Sequence, residues 1–131
     1  MFLDLAKKNL KKEKRKMRNS KTHSKTLKKK LNKCKNIFYA YNELQYKYGN
    51  ILDEREDVLE FKCNVKINCS LGPDYTTDFY IIKTDGTTVI RECVYRNKLN
   101  KPLTAKMLDA SRNYWLAAGY KNWGIVINEE K

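Results

Sequence analysis

Two acidic residues, Asp78 and Glu92, lie in the two halves of a predicted β-hairpin and could hold a metal ion together. The β-rich runs 76–83 and 87–96 flank Thr84-Asp85-Gly86, which is typical of a hairpin with a three-residue loop. With the glycine in the left-handed conformation, this loop places Asp78 opposite Glu92 on one face of the sheet. Their Cβ atoms would be about 5 Å apart, and two carboxylates that close repel each other unless a cation lies between them. Mg²⁺ prefers all-oxygen ligands of this kind.

The metal hypothesis depends on the register of this hairpin. A two-residue loop would pair Asp78 with Cys93 and turn the two acids to opposite faces of the sheet. The structural alternative is that Asp78 flanks a turn and that Glu92 forms a surface ion pair with a nearby Lys or Arg. The spacing of the residues leaves both interpretations open.

An α/β domain is predicted around the hairpin. Residues 60–69 alternate between apolar and polar side chains, which indicates a strand with one exposed face. A helix is expected from an N-cap at Thr104 to about Ala118, with Gly119 ending it, and 123–127 reads as a buried strand. A right-handed crossover would let this last strand lie parallel to a neighbour.

A long helix is predicted from an N-cap at Ser24 to about Gly49. Its apolar stripe recurs at steps of four and three residues and consists of Leu27, Leu31, Cys34, Phe38, Tyr41, Gln45 and Tyr48. Residues 1–36 hold fifteen Lys or Arg and two acids, so this stretch carries the whole net charge of +13. A block of like charge this dense repels itself unless a polyanion neutralises it.

The basic stretch predicts binding to the phosphate backbone of nucleic acid, which gains affinity from counterion release and is therefore weakened by salt. A solvated tail is the alternative, because an AT-rich genome enriches Lys and Asn. An anionic membrane surface is disfavoured, since the stretch lacks the Trp, Phe and Leu face of an interfacial helix. The predicted contact residues are Lys11, Lys12, Arg15, Arg18, Lys28, Lys29, Lys30 and Lys33.

A cytoplasmic location is expected from what the sequence lacks. No apolar run reaches the roughly 18 to 20 residues of a membrane span, and the N-terminus has no signal-peptide pattern. The four cysteines include no C-x-x-C pair, so we expect reduced thiols in a cytosolic setting rather than a zinc site.

The hairpin and the segment after it resemble the PD-(D/E)XK nuclease superfamily, in particular its TnsA-like branch. The resemblance covers about residues 39–129, and 112–127 looks like the closing helix and strand of that family. It implies a restriction-endonuclease-like mixed sheet of about four strands flanked by helices over 37–131. The basic arm at 1–36, which is expected to be helical or disordered, lies outside the resemblance. Three segments carry the resemblance: Tyr75-Thr76-Thr77-Asp78-Phe79-Tyr80-Ile81-Ile82, Asp85-Gly86 and Val89-Ile90-Arg91-Glu92.

The resemblance implies a Mg²⁺- or Mn²⁺-dependent endonuclease of transposon or phage type that cleaves DNA phosphodiester bonds, acting in a bacterium or in the host cell of a phage or mobile element. Asp78 and Glu92 would be metal ligands, and Glu43 best matches the further acid that the family carries on its N-terminal helix. The implied partners are DNA and a transposase or a phage assembly protein, and a homodimer is compatible with the resemblance.

The sequence departs from the family at the motif lysine, because the Glu-x-Lys of the family is Glu92-Cys93-Val94 here. That lysine orients the attacking water and stabilises charge, and Val94 can do neither. Arg96, expected on the strand face of Glu92, or Lys106, near the start of the following helix, could supply the missing charge. Alternatively the site has lost its chemistry, and the fold serves as a DNA-binding or assembly module.

Overall fold

A computed structural model describes residues 27–72 and 74–128 as an α/β fold built around a mixed sheet. A short 3₁₀ turn at Arg96–Lys98 precedes the second helix. In chain order the elements are β1 (Leu27–Lys29), β2 (Phe38–Ala40), α1 (Glu43–Glu54), β3 (Val58–Lys66), β4 (Thr76–Lys83), β5 (Thr88–Cys93), α2 (Pro102–Ala117) and β6 (Trp123–Val126).

The central sheet has four strands in the order β3, β4, β5, β6. The pairs β3–β4 and β4–β5 are antiparallel, and β6 lies parallel to β5. The predicted α/β class and four-stranded mixed sheet are therefore confirmed. Within residues 27–72 and 74–128, neither helix is long and apolar enough to cross a membrane.

Each face of the sheet has its own apolar core. On one face, Leu52 of α1 and Phe38 of β2 pack against Phe61, Phe79 and other sheet residues. On the opposite face, Met107 and Trp115 of α2 pack against Ile90. The alternation of side chains along β4 and β5 supplies one residue to each core in turn, so both faces of these central strands are covered.

The hairpin of β4 and β5 has the predicted register. Phe79 pairs with Arg91 and Tyr80 pairs with Ile90. The backbone N–H of Lys83 donates to the carbonyl of Thr87 at 2.8 Å, which closes a three-residue loop. Gly86 has φ of 91°, the left-handed conformation that this loop requires.

The predicted helix from Ser24 to Gly49 is wrong over the residues that the structure describes before α1. Leu27–Lys29 pairs with Phe38–Ala40 as an antiparallel ribbon instead. The local pattern explains this, because the buried Phe38 and Ala40 alternate with outward-facing neighbours at a period of two. The helix begins only after Asn42, whose side chain accepts a hydrogen bond from the N–H of Gln45 at 2.8 Å.

Residues 27–36, which the sequence assigns to the basic arm, pack onto the folded unit. Leu31 is 7% exposed and belongs to the core on the α1 face. Cys34 forms an isolated parallel bridge with Phe61, and the N–H of Lys33 donates to a carboxylate oxygen of Asp53 at 2.8 Å. The described fold therefore includes the last ten residues of the predicted arm. The predicted N-cap Ser24 and the contact residues Lys11, Lys12, Arg15 and Arg18 lie outside the described residues.

The second helix starts slightly earlier than predicted. Pro102 occupies its first turn, where the missing N–H of proline costs no hydrogen bond, and Lys101 rather than Thr104 is the N-cap. The end of the helix is as predicted, since Gly119 has φ of 98° and follows the last turn.

The packing of α1 depends on a glycine. A Cβ atom at Gly49 would overlap the ring of Phe38, which is fully buried. Gly49→Ala should therefore lower the free energy of unfolding by about 1–3 kcal/mol in denaturant titrations, as overpacked cores do. Helix propensity alone predicts a gain of about 1 kcal/mol, so a stabilised variant would contradict this packing. Lys47→Ala, at an exposed position of the same helix, is the control and should change the value by less than about 0.5 kcal/mol.

Candidate functional site

Asp78 and Glu92 meet where the backbone pairing of β4 and β5 stops. The last paired residues are Phe79 and Arg91. Beyond them the N–H of Asp78 donates to Oε1 of Glu92 at 3.1 Å, and the N–H of Cys93 donates to Oδ2 of Asp78 at 2.8 Å. Each carboxyl group thus bonds the backbone of the opposite strand, so the two acids continue the sheet in place of ladder hydrogen bonds.

The Glu92 side chain is 3% exposed and is surrounded by donors. Ser111 donates to Oε2 at 2.6 Å, and the hydroxyl of Thr77 also donates to this carboxylate. The Nε1–H of Trp123 in turn donates to Ser111 at 3.0 Å, and the Nε1–H of Trp115 donates to Thr77 at 2.8 Å. We call these five residues the Glu92 network. It satisfies polar groups that would be costly to bury unpaired.

Four elements contribute to the Glu92 network. Thr77 comes from β4, Glu92 from β5 and Trp123 from β6, while Ser111 and Trp115 lie one turn apart on α2. Residues four apart on a helix share a face, so α2 presents a hydroxyl and an indole to the sheet together. The network therefore joins α2 to three strands through directional bonds as well as through apolar contact.

Burial controls the protonation of the two acids. Burial and, as the second cause, the nearby charge of Asp78 together raise the pKa of Glu92 to about 8. Burial also raises the pKa of Asp78 to about 6, although the hydrogen bond from Cys93 opposes this shift. Two adjacent carboxylates with little solvent cannot both stay ionised at low cost, so the pair retains a proton near neutral pH, mainly on Glu92.

The carboxyl oxygens of Asp78 and Glu92 are poorly placed to bind a metal ion. Both oxygens of Glu92 and one oxygen of Asp78 already accept hydrogen bonds. Glu43, the predicted third acid, is exposed in the first turn of α1 and does not form a three-acid metal site with the pair in the described residues. Across residues 27–72 and 74–128, no group of three or more His, Cys, Asp or Glu is placed to hold a metal ion.

The two basic residues predicted to replace the motif lysine do not join the pair. Arg96 was expected on the strand face of Glu92, but β5 ends at Cys93 and Arg96 begins the 3₁₀ turn. Its backbone N–H donates to Oδ1 of Asn128 at 2.6 Å. Lys106 is exposed on α2, about 140° around the helix axis from Ser111. The structure therefore brings together Asp78 and Glu92 and leaves Glu43, Arg96 and Lys106 apart from them.

Sequence reasoning missed the hydroxyl and indole members of the Glu92 network. Trp115 is 5% exposed, and the apolar pattern around it in the sequence does not predict its role as a hydrogen-bond donor. The available signal was Ser111, a polar residue on the buried stripe of α2 that also includes Met107 and Ala110. A buried serine needs a partner, and a buried acid on a neighbouring strand is a suitable one.

A second candidate site lies on the ribbon of β1 and β2. Lys28 and Lys30 are exposed there, and the ammonium group of Lys28 lies 5.4 Å from the ring centre of Tyr39. Tyr41 is 61% exposed, and its ring centre is 5.9 Å from that of Tyr39. We call Lys28, Lys29, Lys30, Tyr39 and Tyr41 the lysine–tyrosine surface. It combines cations with accessible aromatic rings.

Lys29 and Lys33, the other predicted contact lysines that the structure describes, make different contacts within the protein. Lys29 donates to the side-chain oxygen of Asn50 at 2.7 Å and lies 5.8 Å from the ring centre of Tyr46. The ammonium group of Lys33 donates to the carbonyl of Arg55, so Lys33 helps to anchor the loop before β2. Lys28, Lys29 and Lys30 are thus the described lysines that best fit the predicted contact surface.

No protein-family model matches the sequence, and no curated protein matches it. The resemblance to the PD-(D/E)XK superfamily therefore stays a prediction, and function has to be inferred from the two candidate sites.

The raised pKa of Glu92 makes stability depend on pH. An ordinary glutamate has a pKa of 4.5, whereas Glu92 in the folded protein has a pKa of about 8. Between these values the folded state binds more protons than the unfolded state, so stability falls as pH rises. The melting temperature should therefore decrease from pH 5 to pH 9, and Glu92→Gln should flatten this decrease.

Glu54→Gln is the matched control, because Glu54 is an exposed acid at the end of α1. This variant should keep the wild-type slope of melting temperature against pH. Equal slopes for wild type and Glu92→Gln would mean that Glu92 is not held protonated in the folded protein. Asp78 keeps a weaker dependence in the Glu92→Gln variant, since its own pKa is also raised.

Proposed function

We propose that this protein is a DNA-binding module, and that its Asp78–Glu92 pair serves the fold rather than phosphodiester cleavage. The lysine–tyrosine surface carries this proposal. Its exposed lysines lie directly after residues 1–26, which contain ten Lys or Arg and two acids. Cationic side chains from both parts can contact successive phosphates along one DNA molecule.

The composition of the surface suits nucleic acid better than it suits an acidic protein. Lysines bind phosphate as point charges, and binding gains from the release of counterions. Exposed tyrosine rings add stacking with unpaired bases, which is worth about 1–3 kcal/mol per base. Tyr41 is 61% exposed beside Lys28 and Tyr39, so charge and stacking are available within one small area.

The surroundings of Glu92 support a structural role for the acidic pair. A buried carboxyl group that accepts from Ser111, Thr77 and the backbone of Asp78 has its hydrogen-bonding capacity used within the protein. Val94 stands at the position where the PD-(D/E)XK motif has lysine, and its N–H donates to the carbonyl of Val126 at 2.9 Å as part of the sheet. These contacts stabilise β5 between its neighbours.

Metal-dependent DNA cleavage is the second candidate function, and the hairpin register favours it. Asp78 and Glu92 are adjacent, as the PD-(D/E)XK resemblance implies for ligands of Mg²⁺ or Mn²⁺. A restriction-endonuclease-like fold and a partnership with a transposase or phage assembly protein belong to this candidate. The existing hydrogen bonds argue against this candidate, because a metal ion would have to displace those already accepted by both acids.

The DNA-binding proposal predicts a specific change in salt dependence. In the full-length protein, Lys28→Ala combined with Lys30→Ala should weaken binding to DNA. The slope of log affinity against log salt concentration should decrease in magnitude by up to about 2, because each phosphate contact contributes about 0.7 to 0.9 to that slope. Lys98→Ala with Lys101→Ala removes the same charge at exposed positions near the start of α2 and should change the slope less.

Two further variants separate the contributions to binding. Deleting residues 1–26 leaves β1 in place and should reduce affinity and salt slope more than the double lysine variant does. Tyr41→Ala should weaken binding to single-stranded DNA while leaving the salt slope unchanged, because stacking releases no counterions. If fluorescence anisotropy shows full affinity for both the deletion and the double lysine variant, the DNA-binding proposal is wrong.

Nicking of supercoiled plasmid distinguishes the two candidate functions. We expect wild type, Asp78→Asn and Glu92→Gln to produce no Mg²⁺- or Mn²⁺-dependent nicks, while wild type still retards the plasmid on a gel. Metal-dependent nicking by wild type that both variants lose would establish the second candidate. Equal nicking by all three proteins would point to a contaminating nuclease, which a catalytically neutral variant such as Lys47→Ala would show as well.

A further inference from the structure

Two of the four cysteines converge between the loop after β1 and strand β3. The Sγ atom of Cys34 lies 3.2 Å from Oδ1 of Asn36, and the Sγ atom of Cys63 lies 3.6 Å from the same oxygen. The two sulfur atoms are therefore neighbours although their residues are 29 positions apart in the sequence. Cys34 is partly exposed, whereas Cys63 is 1% exposed.

Backbone contacts fix the position of each sulfur. Asn36 donates from its side chain to the carbonyl of Cys63 at 2.9 Å and accepts from the N–H of Cys63 at 3.2 Å. On the other side, the N–H of Phe61 donates to the carbonyl of Lys33 at 2.9 Å, and the N–H of Lys35 donates to the carbonyl of Phe61 at 2.8 Å. Cys34 is thereby held against β3 two positions from Cys63.

The two thiols also affect each other's acidity. A hydrogen bond from Cys34 lowers the pKa of Cys63 to about 7. The same contact, together with burial, raises the pKa of Cys34 well above its usual range. A thiolate is the reactive form of cysteine, so near neutral pH the pair holds a nucleophile next to a second sulfur that solvent can reach.

We propose that Cys34 and Cys63 are a redox-sensitive pair that forms a reversible disulfide when the protein is exposed to a hydroperoxide. Cys34, the more exposed sulfur, passes its proton to the neighbouring Cys63 thiolate and attacks one oxygen of hydrogen peroxide. The O–O bond breaks, and the hydroxide that leaves takes the proton back from Cys63, which gives a Cys34 sulfenic acid and one water. The Cys63 thiolate then attacks the Cys34 sulfur, the S–S bond forms, and hydroxide leaves and takes up a proton as the second water. Two thiols are oxidised and one peroxide is reduced to two waters.

The disulfide would tie the lysine–tyrosine surface to the central sheet. Cys34 belongs to the loop between β1 and β2, and Cys63 belongs to β3. In the reduced protein this loop is held to the sheet by noncovalent contacts alone, among them the hydrogen bonds of Asn36, the bridge to Phe61 and the burial of Leu31. Oxidation would add a covalent link there, which thiol reductants could remove.

Peptide mapping of the full-length protein tests the pair. After brief treatment with hydrogen peroxide and alkylation of free thiols, we expect a Cys34–Cys63 linked peptide that dithiothreitol removes. Cys69 and Cys93 should stay available for alkylation, because neither contacts a second cysteine sulfur in the described residues. Disulfides that join Cys34 or Cys63 to Cys69 or Cys93 as often as to each other would overturn the proposal, as would full alkylation of all four cysteines.

Single variants test the assigned roles. Cys63→Ser should leave Cys34 as a sulfenic acid that dimedone traps in greater yield than in wild type. Cys34→Ser should form no internal disulfide and should slow the peroxide-dependent loss of the Cys63 thiol several-fold. Since Cys63 is buried, its variant is accepted only if its circular dichroism matches wild type. If it does not match, Cys34→Ala, at the partly exposed position, decides instead, because unchanged peroxide-dependent loss of the Cys63 thiol in that variant would overturn the proposal.

Discussion

The buried carboxyl group of Glu92 is the point on which the sheet and its second helix depend. An acid at this depth is unfavourable unless donors surround it, and the donors come from three different elements, β4, α2 and β6. Trp115 and Trp123 provide both the apolar wall of the core and the N–H groups that orient the two hydroxyls. The position of α2 over the sheet therefore follows from a polar requirement as much as from burial of its apolar stripe.

The hairpin was predictable because short-range rules decide it. The closing strand was placed correctly, but its predicted burial was wrong, because β6 is an edge strand in which Ile125 is 40% exposed. Asp85-Gly86 determines the loop, the loop determines the register, and the register places Asp78 beside Glu92. The region before α1 was not predictable in this way, since a stripe at helical spacing from Leu27 to Tyr48 also contains the alternation of a strand at Phe38 and Ala40. Partners distant in sequence decided between them, namely the pairing of β1 with β2 and the bridge from Cys34 to Phe61.

The candidate site shows the same division between local and distant effects. The two acids could be placed from the sequence, because one turn connects their strands. Their protonation state could not be predicted from the sequence, because it depends on burial under α2 and on Ser111, which lies 19 residues beyond Glu92. The predicted position of Arg96 was wrong for a local reason. Strand β5 ends at Cys93, and the chain enters a 3₁₀ turn at Arg96 instead of continuing as a strand on the side of Glu92.

The segment Lys33–Asn36 also changes what the sheet presents to other molecules. β3 is one edge of the sheet, and an uncovered edge strand is a template on which another chain can add by backbone pairing. Here the backbone of Lys33 and Lys35 bonds Phe61, and the amide of Asn36 bonds Cys63 in the manner of a neighbouring strand. A short loop thus occupies the pairing positions of the longest strand and protects a strongly charged protein from edge-to-edge aggregation.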